Sequence, residues 1–242
     1  MYVGVDGCVG GWVAVVYDDA GFVEARRFDD VATLWSAYDP EDGTVLIDVP
    51  IGLHADTADP RPCDDAARTA LAHPRSTSVF AVPVRAAVHA DTYASAKATQ
   101  EARTDGSLGV QSWNIADKIA QLDAFLREGR PDAIGTIREA HPEVCFWALA
   151  GESTTRYSKT GQPAAAFWER VDVLEAVDAA IVDHVRRAAT SLEANVGNDD
   201  LADAFALALT ASPLTGSLRT LPADPPTDAA GLPMEMVYAR PG

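Results

Sequence analysis

Cysteine is scarce in this chain of 242 residues. Cys8, Cys63 and Cys145 are far apart, odd in number and form no CxxC pair. That pattern excludes a disulfide scaffold and a cysteine-based structural zinc site, and it suits a reducing compartment. Lysine is also scarce: Lys97, Lys118 and Lys159 are the only lysines among 19 basic residues, which face 36 acidic ones for a net charge of −17. A broadly basic surface that gathers nucleic acid is excluded by that balance. No apolar run approaches the roughly 18 residues of a membrane span. The first residues read as strand and lack the basic segment, apolar run and small-residue cleavage site of a signal peptide, so a soluble, cytoplasmic protein is expected. Gly7, Gly10 and Gly11 do not form GxGxxG, and GxxxxGK[ST] is missing, so no nucleotide-binding loop is supported by pattern.

What is present is ample apolar material, 48% of residues at a mean hydropathy of −0.04. This suffices for one large α/β domain over 1–242. The acidic, lysine-poor composition resembles that of proteins adapted to a salt-rich cytoplasm, where a Debye length of ~3 Å at 1 M screens self-repulsion.

Three strands are expected at the start, YVGVD, WVAVVYD and FVEARRF, joined by short turns into an antiparallel meander. DVATLWSAY places Val31, Leu34, Trp35 and Tyr38 at helical spacing behind a capping aspartate. After the turn PEDG, the β-branched run TVLIDVP suits a strand buried on both faces and entered by a helical crossover. Helices are expected over 61–73, 91–103 and 112–128, with STSVFAVPVR extended between the first two because Pro83 limits ladder pairing. AIGTIREAHPE supplies a fifth strand, stopped by Pro142; a long helix is expected over 168–192, another in DDLADAFALALTA, and an edge strand in MEMVYA.

Acidic residues fall at element ends. Asp6 closes the first strand, Asp48 sits near the end of TVLIDVP, Glu139 near the end of GTIREAH, and Asp200 and Asp203 lie three residues apart on the final helix, hence on neighbouring surface. If the fourth strand runs parallel beside the first, Asp6 and Asp48 become neighbours, and two such charges repel unless a cation lies between them. Mg2+ or Mn2+ prefers oxygen ligands, and ions about 3.5–4 Å apart can activate water and stabilise a leaving oxygen in phosphodiester cleavage. Ordinary roles compete with this one: solvated turn chemistry for Asp6, helix capping for Asp199 and Asp200. Asp203, one turn inside an otherwise apolar helix, requires a wet cleft or a partner.

The ordered set GVDGCVGGW, DVPIGL, RPCDDAAR, SVFAVPVR, QSWNIADKI, EAHPEVCF, Lys159 with Arg170, and DDLADAFALALTA resembles the DUF429 family of predicted nucleases, from residue 2 to about 235. The resemblance implies a ribonuclease H-like fold related to the RuvC resolvases. Its sheet would be five-stranded and mixed, in order 3-2-1-4-5, flanked by helices, with acidic ligands on the first strand, the fourth strand and a late helix. A helical insertion is expected over about 52–131. Either Glu139 or Glu143 is the inward carboxylate near the fifth strand; alternation favours Glu139, while Glu143 after Pro142 looks like the first turn of a helix.

Between residues 61 and 85, Arg61, Arg68, Arg75 and Arg85 outnumber Asp64 and Asp65. Phosphate gripping and ion pairing are both open readings of these arginines. Asn114, Lys118 and Gln121 share a polar helix face that could line a cleft or simply be solvated. His141 and Cys145 read as structural, the cysteine as a small hydrophobe in a buried helix. The expected function is metal-dependent hydrolysis of nucleic acid, DNA or RNA. Asp6, Asp48, Asp200 and Asp203 would hold Mg2+ or Mn2+, Glu139 would assist, and Arg61, Arg68, Arg85, Lys118 and Lys159 would contact phosphates. The alternatives are a non-catalytic nucleic-acid or protein-binding module on the same fold and, less favoured at this chain length, an actin-like phosphotransferase.

Overall fold

A computed structural model describes residues 1–38, 43–192 and 196–242, so most of the turn expected at PEDG lies outside the described residues. The elements in chain order begin with β1 (Tyr2–Cys8), β2 (Gly11–Asp18), β3 (Gly21–Phe28), α1 (Val31–Tyr38) and β4 (Thr44–Ile47). Next come α2 (Pro62–Arg75), α3 (Arg85–Val88), α4 (Tyr93–Arg103), α5 (Val110–Asn114) and α6 (Ala116–Ala124). They are followed by β5 (Ile137–Glu139), α7 (Pro142–Leu149), α8 (Pro163–Glu175), α9 (Ile181–Ser191), α10 (Asn198–Ala211), β6 (Arg219–Leu221) and β7 (Met236–Tyr238). No helix among the described residues is long and apolar enough to cross a membrane.

The chain forms two compact units. The first contains Met1–Asp48, Gly135–Arg219 and Val237–Gly242. Its open five-stranded sheet has the order β3-β2-β1-β4-β5. The strands β1, β2 and β3 pair antiparallel, while β4 runs parallel to β1 and β5 parallel to β4, as expected for the meander followed by a crossover. Seven of the eight residues of β2 are buried, which is why its sequence is a continuous apolar run rather than an alternation. Asp30 ends the turn before α1 by accepting the Thr33 N–H at 2.7 Å, the capping role its position predicts.

One face of this sheet carries α10, whose residues Leu201 to Ala211 are all buried. The contact is close because Gly4 of β1 has no side chain: a Cβ there would stand 2.1 Å from the Ala204 carbonyl oxygen and 2.2 Å from the Ala208 nitrogen. Only hydrogen fits, so backbone packs on backbone. The helix expected over 168–192 is two helices, α8 and α9. Asp178 separates them, its carboxylate accepting from the Ala180 N–H at 3.0 Å, from the Tyr17 hydroxyl at 2.8 Å, and lying 2.8 Å from His184 Nδ1. An aspartate that satisfies a backbone N–H two residues on favours a turn over a continuing helix.

The second unit contains Val49–Ile134 and Thr220–Met236. It comprises the segment expected as an insertion together with a return segment from near the end of the chain. The helix expected over 112–128 is broken at Ile115 into α5 and α6 and ends in a wide turn in which Arg130 N–H donates to the Phe125 carbonyl at 2.6 Å. Inside this unit the Asp228 carboxylate accepts from the Leu53 N–H at 2.8 Å and pairs with Arg85, while Arg85 Nε donates to Asp123 at 3.1 Å. Asp123 also receives Arg127 at 3.2 Å and lies 2.7 Å from His89 Nε2.

Candidate metal centre

Register decides which acidic side chains can meet. Val5 pairs with Ile47 across the parallel ladder, and the Asp48 N–H donates to the Val5 carbonyl at 2.9 Å. Asp48 therefore stands beside Asp6, on strands about 4.8 Å apart, and the two point to the same face. Gly4 shares that face, two residues earlier, so the helix lying on Gly4 brings Asp203 over the same spot. Asp6 is 7% exposed and Asp203 4%; Asp48 and Asp200 are half-buried. Asp6 does not close its strand but lies two residues inside it, opposite Val13, with its Oδ1 accepting from the Gly7 N–H at 2.7 Å.

The same register corrects Glu139. It pairs with Ile47, hence sits in the row of Val5 and Ile47, and a side-chain period of two turns it to the face opposite Asp6 and Asp48. It is buried there. Glu143 takes the place expected of it, in the first turn of α7, where His141 Nδ1 accepts from the Glu143 N–H at 3.2 Å. Its carboxylate receives the Thr155 hydroxyl at 3.0 Å and the Arg170 guanidinium. Arg170 is 1% exposed, also donates to the Ala166 carbonyl at 3.0 Å, and lies over the Phe146 ring at 5.4 Å. Burial works against the charge on Glu143, but Arg170, Lys159 and the Thr155 hydroxyl together hold the carboxyl below its ordinary range.

The aspartates behave in the opposite way. Burial, then the charges of Asp48 and Asp203, hold the Asp6 carboxyl well above the usual range. Burial and Asp203 push Asp48 up to about 7, with Lys159 working against them. Burial also raises Asp203, against the pull of Lys159, and raises Asp200 despite the Gly197 N–H that its Oδ2 accepts at 3.2 Å. Lys159 Nζ donates to Asp203 Oδ2. Asp203 Oδ1 is buried with no hydrogen-bond partner among the described residues. Several carboxylates thus share a small volume with a single lysine, and one oxygen is left without a donor, an arrangement whose cost falls when a cation enters.

The other expected phosphate contacts divide. Arg61 is corrected: it is 1% exposed, and its guanidinium is held by Asp64 at 2.7 Å and by the carbonyls of Ile51 and Gly52 at 3.0 and 3.3 Å, which is the ion-pairing reading. Arg85 is likewise corrected, its guanidinium held by Asp123 and Asp228. Arg68 donates to the Val79 carbonyl at 3.0 Å and keeps partial exposure; Lys118 is half-buried on α6. Arg61, Arg68, Arg85 and Lys118 all belong to the second unit. Lys159 lies at the aspartates, paired to Asp203 before any phosphate arrives. Cys145 is fully buried, its thiol pushed up to about 12 by burial, which suits packing and not nucleophilic attack.

Fold and site together define an α/β protein with an open mixed sheet and a buried carboxylate centre between its first strand, the end of its fourth and a late helix. The chain belongs to the family described as "Protein of unknown function (DUF429)", which matches residues 4–227. No curated protein and no solved structure matches it.

Proposed function

We propose that this protein is a metal-dependent nuclease, hydrolysing phosphodiester bonds of nucleic acid with Mg2+ or Mn2+ in the cytoplasm. The observation that carries the reading is the convergence of Asp6, Asp48 and Asp203, from three separate elements, onto one face of the sheet, with Asp203 Oδ1 lacking a hydrogen-bond partner among the described residues. The donors are all carboxylate oxygens, a set that suits hard divalent ions and not zinc or copper. Asp6, Asp48 and Asp203 would hold the ion, with Asp200 at the margin. A bound ion of this kind supplies charge stabilisation at a phosphoryl oxygen and lowers the pKa of bound water. Lys159, on the other oxygen of Asp203, offsets part of the acidic charge and is exposed enough to meet a phosphate oxygen. The Glu143–Arg170–Thr155 network fixes α7 and α8 behind the centre, a positioning role.

The test is cleavage of single strands, duplex, branched DNA and RNA–DNA hybrid in Mn2+ or Mg2+ at high KCl. Turnover on at least one substrate is expected, abolished by chelation and reduced at least about 100-fold in Asp48→Asn and Asp203→Asn. No turnover on any of them, with Mn2+ shown to be bound, leaves the non-catalytic binding module as the function.

A further inference from the structure

Beside the carboxylate centre, α8, α10 and Lys159 line an open hollow of about 450 Å3, with Pro163, Phe167, Trp168, Asn198 and Ala202 among its walls. Trp168 is 54% exposed, unusual for the largest apolar side chain, and its ring meets Phe167 edge-on with centroids 5.4 Å apart. Trp168 and Phe167 together give the hollow an aromatic face.

We propose that this hollow is a nucleoside subsite that takes one unpaired base of a single-stranded nucleic acid, stacked on Trp168, while the adjoining phosphate reaches the carboxylate centre. The inference rests on the nuclease reading for the phosphate and adds the substrate class. Three observations support the occupant. First, the hollow adjoins the centre through one side chain: Lys159 lines the hollow and its ammonium donates to Asp203. Asp199, also in the lining, precedes Asp203 by one helical turn, about 6 Å of rise. Second, the lining combines an aromatic face with the Asn198 amide, which can both donate to and accept from a base edge. Third, at a net charge of −17 general attraction for phosphates is missing, so affinity must come from stacking, which is indifferent to net charge. A base stacked in the hollow has left its pair, which costs unstacking energy from a duplex and none from an unpaired strand, so single strands are favoured.

The test is anisotropy of labelled dT12 and U12, and of a 12-base-pair duplex, against the full chain in Ca2+, with the oligonucleotides checked to be intact afterwards. Wild type is expected to bind at least one single strand at least about tenfold more tightly than duplex, Trp168→Ala to weaken that binding about 5- to 100-fold, and Trp168→Phe to retain most of it. The proposal is overturned if neither single strand binds, if duplex binds equally well, or if Trp168→Ala stays within twofold of wild type. Cleavage by Trp168→Ala at the wild-type rate, with unchanged binding, removes the subsite and leaves the hydrolase. Trp168-dependent binding with no cleavage in Mn2+ keeps the subsite and removes the hydrolase.

Discussion

At the scale of single residues, the two oxygens of Asp203 have different circumstances: Oδ2 accepts from the Lys159 ammonium, while Oδ1 has no hydrogen-bond partner among the described residues. Asp48 next to it is pushed up to about 7 from an ordinary value of 3.8. Below the ordinary value both folded and unfolded chains carry its proton. As pH rises from there to about 7 the unfolded chain gives up the proton first, so stability falls through that window and the loss is complete above it. Asp48→Asn removes the titration. Without metal, the variant is expected to be more stable than wild type at pH 8 by on the order of 2 kcal/mol, and equal to it near pH 4. Urea denaturation of chelated protein at the two pH values measures this; Mn2+ at pH 8 should narrow or reverse the gap, since the wild type, with all its carboxylates, gains more from binding.

At the scale of elements, the contact of α10 with β1 decides whether the centre exists. Gly4→Ala places a methyl group inside the α10 backbone, and neither element can shift without disturbing the other. A loss of at least about 3 kcal/mol is expected, read as a lower midpoint of thermal unfolding, together with weaker Mn2+ binding because Asp203 is carried away from Asp6. Gly4→Ala at wild-type stability would mean that the helix does not lie where it is described.

Much of this level is legible in the amino-acid order. The meander shows because β1 and β2 are apolar runs between tight turns, Asp6 and Asp48 show at the ends of the runs YVGVD and TVLID, and Asp203 stands out as a charge inside an apolar helix. What is not legible depends on register or on distant partners. Whether Glu139 or Glu143 turns inward is fixed by the pairing of β5 with β4, which local alternation does not contain. At the break, Asp178 accepts from the Tyr17 hydroxyl, 161 residues away, as well as from the Ala180 N–H, and that distant partner is not visible in the local sequence. Arg61 looks like a surface cation until carbonyls from Ile51 and Gly52 close over it. The closeness of Gly4 to α10 is invisible in a strand where glycine could equally mark a bulge.

At the scale of the whole molecule, the dominant quantity is the net charge of −17, which opposes the compact state by self-repulsion. Raising KCl from 0.1 to 1 M shortens the screening length from about 10 to about 3 Å, so the denaturation midpoint should rise by several degrees. A midpoint that is flat or falling with KCl would show that the surface charges are already balanced by local pairs such as Arg240 with Glu152 and Arg130 with Asp132.

The second unit carries a practical lesson about dissection. Its polypeptide is not contiguous: Asp228, which gathers the Leu53 N–H and the Arg85 guanidinium, arrives almost a hundred residues after the rest of the unit has been laid down. Gly52, at φ +76, is likewise shaped around the Pro233 carbonyl, where a Cβ would come within 2.7 Å. A recombinant fragment cut at 49 and 134 would thus leave the Leu53 amide without its acceptor and Arg85 with Asp123 alone. Excising that half intact calls for splicing 220–236 onto 134, not for trimming ends.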